Sequence, residues 1–483
     1  MPTDGGMAAE GRGSTEGRAG RRAARRYRRL TIIVVASLAA LGGVLGAANT
    51  LQGPRLTSAE INGQGAVGRP GQRLVLHANQ PIAHVDASQV TVTPSVPFTA
   101  TTSGSELTLT LDGMLDYETD YTVTVTAKSL YSGAAASLDY SFTTPDVSVY
   151  TLIRDTGSVA GDEPDRVVRE SLSSDSPGDE VFTAPRIQEY AVSGSKLAAI
   201  VLDEQNKTSL VVRDLSTGAD TAVATGVETG SMRYLKSSGA SGLFGFTITG
   251  ESAPDGSTSP TTLFVYDPSS GGATAREVKG FDGAQLPAVA WAFVQGTTSA
   301  VIQDYDQQLF LIDVTTDSVP SPLGRHAEVH GFIPGTAQLV VSDLQDFTRI
   351  DLQAAKTEAF DSLTAQADPS YYPGKRLYLG DQGDYVQEFD VPDSEHQYST
   401  SALMLIDESG TRQIYRPDAG TRIRNICLSP NGRVAAVETF AEDKQNDKYP
   451  NVPSYLPMTT TFIDLSSLEA TKSVDGWMPD WCQ

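Results

Sequence analysis

The segment DQGDYVQEFDVPDSEHQYST, residues 381–400, crowds Asp381, Asp384, Glu388, Asp390, Asp393 and Glu395 into one short stretch. Hard divalent cations such as Ca2+ take several oxygen ligands of this kind, so Asp381, Asp384, Glu388, Asp390 and Asp393 form the candidate metal set. Their spacing fits no known cation loop, and a solvated acidic loop is the commoner outcome of such a composition. No other cofactor is expected. A second segment, EDKQNDKYPNVPSYLPM at 442–458, offers Tyr449, Pro450, Pro453, Tyr455 and Pro457. Rigid aromatic and proline side chains suit contact with a partner, although packing across the protein's own face would use them nearly as well.

Other chemistry is sought without result. His326 and His330 have the spacing of a helical metal pair, but they stand where the chain should be extended, which would part them by about 13 Å. No nucleophile elbow, Walker loop or four-ligand Cys/His set is present. The two cysteines, Cys427 and Cys482, point to a disulfide if the chain is exported. That bridge would be worth on the order of 4 kcal/mol in the chain-entropy model.

The elements that must position these residues are strands. LVVRDLSTG (210–218) ends its apolar run at Asp214, and the same run ends at Asp267, Asp313, Asp351, Asp407 and Asp464. An Asp followed by Ser, Thr or Gly at a strand end bonds its own turn, so these six are expected to be turn residues and not ligands. Ahead of each lies one strand (LAAIVLDE, LFGFTIT, AVIQDYD, QLVVSD, RLYLGD, VAAVETF), and ahead of most of those another, as in EYAVSGSK and NICLSPNG. A further β segment follows each Asp. Units of four strands repeated along a chain read as propeller blades. Upstream, VYTLIRD and RVVRESL supply part of one more blade that lacks its first strand. The terminal WMPDWCQ matches that missing piece and would close a ring of seven.

Between second and third strands the unit carries insertions: 157–165, 250–260, 381–400 and 442–458. These loops should share one face, where binding residues concentrate on rigid scaffolds. Taking Leu428 and Trp481 as equivalent gives Cys427 and Cys482 the same strand parity, whereas stacked sheets meet with opposite faces, which argues against the bridge.

Before this array, SELTLTLDGML and DYTVTVTAKSL alternate strictly, the pattern of strands with one face buried. Leu115, Tyr121, Thr122, Val123, Val125, Gly133, Tyr140, Phe142 and Thr144 resemble the frame of bacterial Ig-like domains of surface-layer and adhesin type, which implies a spacer or stalk. The SPNGR turn at 429–433 and the terminal PDW resemble TolB and WD40-like β-propellers. That likeness speaks for fold and says little of activity.

Charge and hydropathy set the location. Residues 1–29 hold eight arginines against three acids, so the remainder carries −28 where the whole chain carries −23. LTIIVVASLAALGGVLGAA (30–48) is uncharged and mostly apolar, about the length that spans a bilayer. Arginines on its N-terminal side alone orient the tail to the cytoplasm. A cleaved signal peptide is the competing reading. An exterior so acidic excludes nucleic acid as a partner.

The expectation is therefore an all-β protein with an N-terminal transmembrane helix, an Ig-like sandwich and a seven-bladed propeller. Its parts are a basic cytoplasmic tail (1–29), an anchor (30–49), an Ig-like domain (50–146) and the propeller (147–483). It is expected to lie in the cell membrane, with its bulk extracellular or periplasmic, and to bind an envelope protein or glycan without catalysis. A propeller hydrolase or lyase using carboxylates such as Asp304 and Asp306 is the alternative.

Overall fold

The computed structural model describes residues 27–43, 52–154, 163–174, 176–227, 229–250, 258–344, 346–392, 398–443, 446–447 and 449–482. Residues 27–43 are helical and expose Ile32, Ile33, Val34, Val35, Leu38 and Leu41. No helix among the described residues is long and apolar enough to cross a membrane. The remainder is almost wholly β, with short helical turns.

Residues 56–143 form two facing antiparallel sheets. One orders Leu56–Ile61, Arg73–Ala78, Glu106–Leu111 and Phe98–Ser103; the other orders Val90–Thr93, Asp120–Lys128 and Ala135–Thr143. Alternation in the sequence becomes alternation in space: Leu107, Leu109 and Leu111 face Tyr121, Val123 and Val125 in one core, with the intervening threonines outward. Tyr121 lies in this core and its Oη accepts the Asp116 amide at 3.1 Å, which fixes the turn leading into its own strand.

From Ser148 onward the described strands form antiparallel meanders in chain order. Sheet 1 holds Ser148–Ile153, Asp165–Ser171 and Asp179–Ala184. Sheets 2 to 7 hold four strands each and begin with Ile187–Ser193, Ser231–Ser237, Ala290–Phe293, Glu328–Phe332, Tyr372–Tyr378 and Thr421–Leu428. Most of their second strands are apolar without alternation; Leu197, Ala198, Ala199 and Ile200 of sheet 2 are all fully buried. A strand of that kind needs cover on both faces, and neighbouring sheets supply it. Ile200 and Leu210 of sheet 2 meet Phe244 and Phe246 of sheet 3, and Val386 and Leu403 of sheet 6 meet Ile426 and Val437 of sheet 7. The series returns on itself: Val149 of sheet 1 shares a cluster with Cys427, Ala436 and Phe462 of sheet 7.

The six recurrent aspartates cap turns. Each stands at or just after the end of a third strand and accepts the amide two residues on, at 2.7–3.0 Å, from Ser216, Ser269, Thr315, Gln353, Ser409 and Ser466. Asp304 is also a turn residue, accepting from the amides of Asp306 and Gln308.

Two expectations need correction. The C-terminal segment joins sheet 1 beside Ser148–Ile153, but through a single antiparallel bridge at Leu152 and Trp477 and not as a full strand. Pro479 has no amide to donate, and Asp480 accepts the Tyr150 amide with its side chain at 2.9 Å. The chain then turns through a short helix, Asp480–Cys482. Cys482 thus leaves the strand frame and its parity no longer applies; it is bonded to Cys427. In sheet 6 the first strand is Tyr372–Tyr378 and the second Tyr385–Pro392, so RLYLGD ends the first strand and is not the second. Most of the supposed 381–400 insertion is therefore hairpin and strand.

Candidate functional site

The first strands of sheets 2 to 7 send Val192, Lys236, Ala292, His330, Lys375 and Cys427 to the wall of one cavity of about 1210 Å³. The C-terminal turn adds Asp480, and the sandwich adds Arg69 and Asp112. The sandwich reaches this place because its 112–117 loop meets the turns between first and second strands. Asn431 Nδ2 donates to the Leu115 carbonyl at 3.1 Å, and Arg433 pairs with Asp116 at 2.7 Å.

Several first strands carry a bulge where they face the axis, and the bulges re-aim charged side chains inward. Glu189 is buried and its Oε2 accepts the Leu235 amide at 2.6 Å; burial pushes its carboxyl up to about 7 against the pull of that bond. Lys236 lies near the ring of Trp291, its Nζ 5.7 Å from the centroid, and burial lowers its affinity for a proton. Lys375 donates to Asn425 Oδ1 at 2.8 Å. Lys375 is open to the cavity, yet the loss of bulk solvent around it brings its ammonium down to about 8, with Lys236 pushing the same way and Glu438 and Glu388 opposing.

Second strands contribute where the first leaves room. Gly374 has no side chain, and a Cβ there would stand 3.2 Å from Glu388 Oε2, so the glycine opens a window through which Glu388 reaches inward. Burial, and then Asp390, raise Glu388 to about 7. Glu438 is fully buried but held: Arg424 lies 3.1 Å away, and the Met478 amide donates to it at 3.1 Å. His330 is pushed towards its neutral form by burial, with Nε2 2.9 Å from Ser342 Oγ.

At the other end of the strands, the 446–458 segment folds over sheets 1 and 2. Arg154 and Asp447 form an ion pair at 2.6 Å with both side chains 0% exposed. Arg154 also donates to the carbonyls of Ile187, Gln188 and Val452, and its guanidinium lies 3.7 Å from the centroid of the Tyr449 ring. Tyr449 in turn bonds Asp165, and Asn451 bonds Gln188 at 3.0 Å.

The nominated partner-contact residues therefore divide. Tyr449 is only 3% exposed and spends its ring and hydroxyl on Arg154 and Asp165, so it offers nothing to a partner. Tyr455 is half-buried and stacked on Phe440 at 4.0 Å. Pro450, Pro453 and Pro457 are exposed.

The nominated metal ligands do not converge either. Asp381 and Asp384 lie on the turn before Tyr385–Pro392, while Glu388 and Asp390 lie on that strand. Asp390 is 2.7 Å from Arg422. Asp393 and Glu395 lie outside the described residues, as do 157–162 and 251–257 of the other insertions. Among the described residues no group of three or more His, Cys, Asp or Glu is placed to hold a metal ion.

Sequence reasoning passed over Glu189, Lys236 and Lys375. The signal was there, charges inside first strands in QEYAV, RYLKS and GKRLY, but nothing local shows that such strands line one cavity.

Residues 53–144 match the bacterial Ig-like domain family. A search of the curated proteins finds no match to the chain. Among solved structures, it is similar to an auxiliary nutrient binding protein from Bacteroides thetaiotaomicron, at 11% identity over 75% of this chain and 86% of that one, with a TM-score of 0.31. The counterpart from Bacteroides ovatus gives 12% over 77% and 92%, TM-score 0.31. TolB from Acinetobacter baumannii gives 10% over 76% and 79%, TM-score 0.33.

Proposed function

We propose that this chain is a membrane-anchored, extracytoplasmic binding protein in which an Ig-like spacer presents a seven-bladed β-propeller to a protein or glycan of the cell envelope. Residues 1–29 are its cytoplasmic tail, 30–49 its anchor, 50–146 the spacer and 147–483 the propeller, closed by the C-terminal segment. The continuous series of inter-sheet clusters, with the one that joins sheet 7 to sheet 1, supports the ring. One-sided arginines and the apolar run support the anchor.

One observation carries the binding role. The spacer occupies the turns between first and second strands, so the opposite ends of the strands face away from it. That far face exposes large side chains on three sheets: Tyr305 at 62%, Leu344 at 99% and Tyr372 at 65%. Exposed aromatic and aliphatic groups on a rigid rim are the material of protein and glycan contacts. A binding role without catalysis also suits Asp304, which caps a turn.

The test is cross-linking of the full chain in intact envelopes, followed by identification and reconstitution of the captured species. The combined substitutions Tyr305→Ala, Leu344→Asp and Tyr372→Ala should weaken that reconstituted complex at least about tenfold, a loss of roughly 1.4 kcal/mol. Unchanged affinity would remove the far face as the binding surface. Turnover of envelope glycosides or peptides by the wild type would displace the reading in favour of an enzyme.

A further inference from the structure

Among the described residues, the two axial lysines have no anion of their own. Lys236 comes from sheet 3 and Lys375 from sheet 6, and both line the 1210 Å³ cavity on the spacer side, away from the far face. Neither makes an ion pair with a described residue. Lys375 rests on the neutral Asn425 amide, and Lys236 lies near the Trp291 ring. Three arginines of the sheet series are matched: Arg154 with Asp447 at the far end, Arg424 with Glu438, and Arg422 with Asp390. Arg376 stacks on Tyr385 and donates to Ser362 and Tyr378.

Two ammonium groups that repel each other, Lys375 open to the cavity and Lys236 half-buried, gain from an anion placed between them. The carboxylates nearest to them hold protons or are engaged elsewhere. Glu438 is held by Arg424 and the Met478 amide, and Asp480 accepts the Tyr150 amide. Glu189, Glu388 and Asp480 hold protons into the neutral range, and burial pushes His330 towards its neutral form. Arg69 of the sandwich adds a third cation to the wall, which also carries Asp112 of the sandwich and Asp351, the latter capping its own turn. Lys236 and Lys375 are thus two inward cations that no described carboxylate engages in an ion pair.

We propose that the cavity is a binding site for a small polyanionic ligand, phosphate-bearing or polycarboxylate, bridged between the ammonium groups of Lys236 and Lys375. Its volume slightly exceeds the roughly 300–1,000 Å³ usual for small-molecule sites, enough for a phosphorylated sugar and its waters. Ser237, Ser238 and Thr336 line it too and supply hydroxyls for a polar ligand body.

The test is isothermal titration of the full chain in detergent with pyrophosphate and, separately, citrate, at matched ionic strength. One saturable site per chain is expected for at least one probe, and the stronger probe tells phosphate from carboxylate chemistry. The double variant Lys236→Gln, Lys375→Gln should bind at least about tenfold more weakly. Affinity should also fall several-fold between about pH 6.5 and 8.5, because Glu189, Glu388 and Asp480 ionise near 7 and Lys375 loses its proton near 8. Should the double variant unfold, Lys375→Gln alone and the wild-type pH series carry the test. Absence of saturable binding by either probe up to about 10 mM, or equal affinity in folded variants, would overturn the proposal.

Discussion

Glu189 is a carboxyl that the fold keeps protonated well above its ordinary range, and this leaves a measurable sign in stability. Its carboxyl titrates near 4.5 when unfolded and near 7 when folded, with burial as the main cause. The folded state therefore binds more protons between those values, and stability falls as pH rises through that window, levelling above it. Glu388 and Asp480, also raised to about 7, act with the same sign. Glu189→Gln should therefore match the wild type near pH 5 and exceed it near pH 8, by no more than about 3 kcal/mol, in urea melts at both pH values. A variant that loses stability equally at both would show that Glu189 acts through its hydrogen bond and not its charge. Legibility at this scale followed sequence distance. Asp214 and its five counterparts bond amides two residues away, so type and spacing disclosed their role. Glu189 answers to Lys236 and Arg154 from other sheets, and no local pattern announces that meeting.

The 446–458 segment shows how an element can be located correctly and its use misjudged. Its place between the second and third strands of sheet 7 was readable, as was its stock of Tyr and Pro. Those residues serve both contact and internal packing, and the deciding fact is that Arg154, far away in sequence, inserts beneath the loop. Sheet 6 failed for another reason. Its first strand, YPGKRLY, holds Pro, Gly and two charges and is bulged near Gly374, and its second, YVQEFDVP, holds Gln387, Glu388 and Asp390, so neither showed the apolar run that marks the other units. The clasp itself makes a prediction. Arg154 and Asp447 are buried together, so Asp447→Asn leaves a guanidinium without its countercharge and should cost about 3–5 kcal/mol in urea unfolding. Pro450→Ser, at an exposed position of the same loop, should stay within about 0.5 kcal/mol of the wild type. Equal effects from the two would mean that the segment does not fasten sheet 7 to sheets 1 and 2.

At the scale of the whole molecule the question is what keeps the series of sheets closed. The repeat was legible because the six four-stranded units share an Asp-capped turn after the third strand and most share a second strand apolar on both sides, and the complementary tail could be matched to the incomplete first unit. Closure uses few contacts. Trp477 exchanges two backbone hydrogen bonds with Leu152, at 2.8 and 3.0 Å. Gly476 at φ +103 lets the chain approach so closely that a Cβ would lie 2.8 Å from the Leu152 carbonyl. The fully buried Trp477 packs among Leu152 of sheet 1, Tyr190 of sheet 2 and Met458 of sheet 7, and the disulfide ties the last turn to Thr421–Leu428. These contributions are separable. Cys482→Ser removes only the tether and should lower stability by no more than about 4 kcal/mol, with the state of association unchanged from the wild type. Trp477→Ala removes the plug and should cost about 3–5 kcal/mol even with the disulfide intact. Removing residues 477–483 does both and strips Ser148–Ile153 of its neighbour, exposing a strand edge that invites pairing with another chain. Light scattering after size-exclusion chromatography should then show self-association that neither point variant shows. A truncated chain that elutes and melts like the wild type would mean that the series of sheets is held together by something other than its tail.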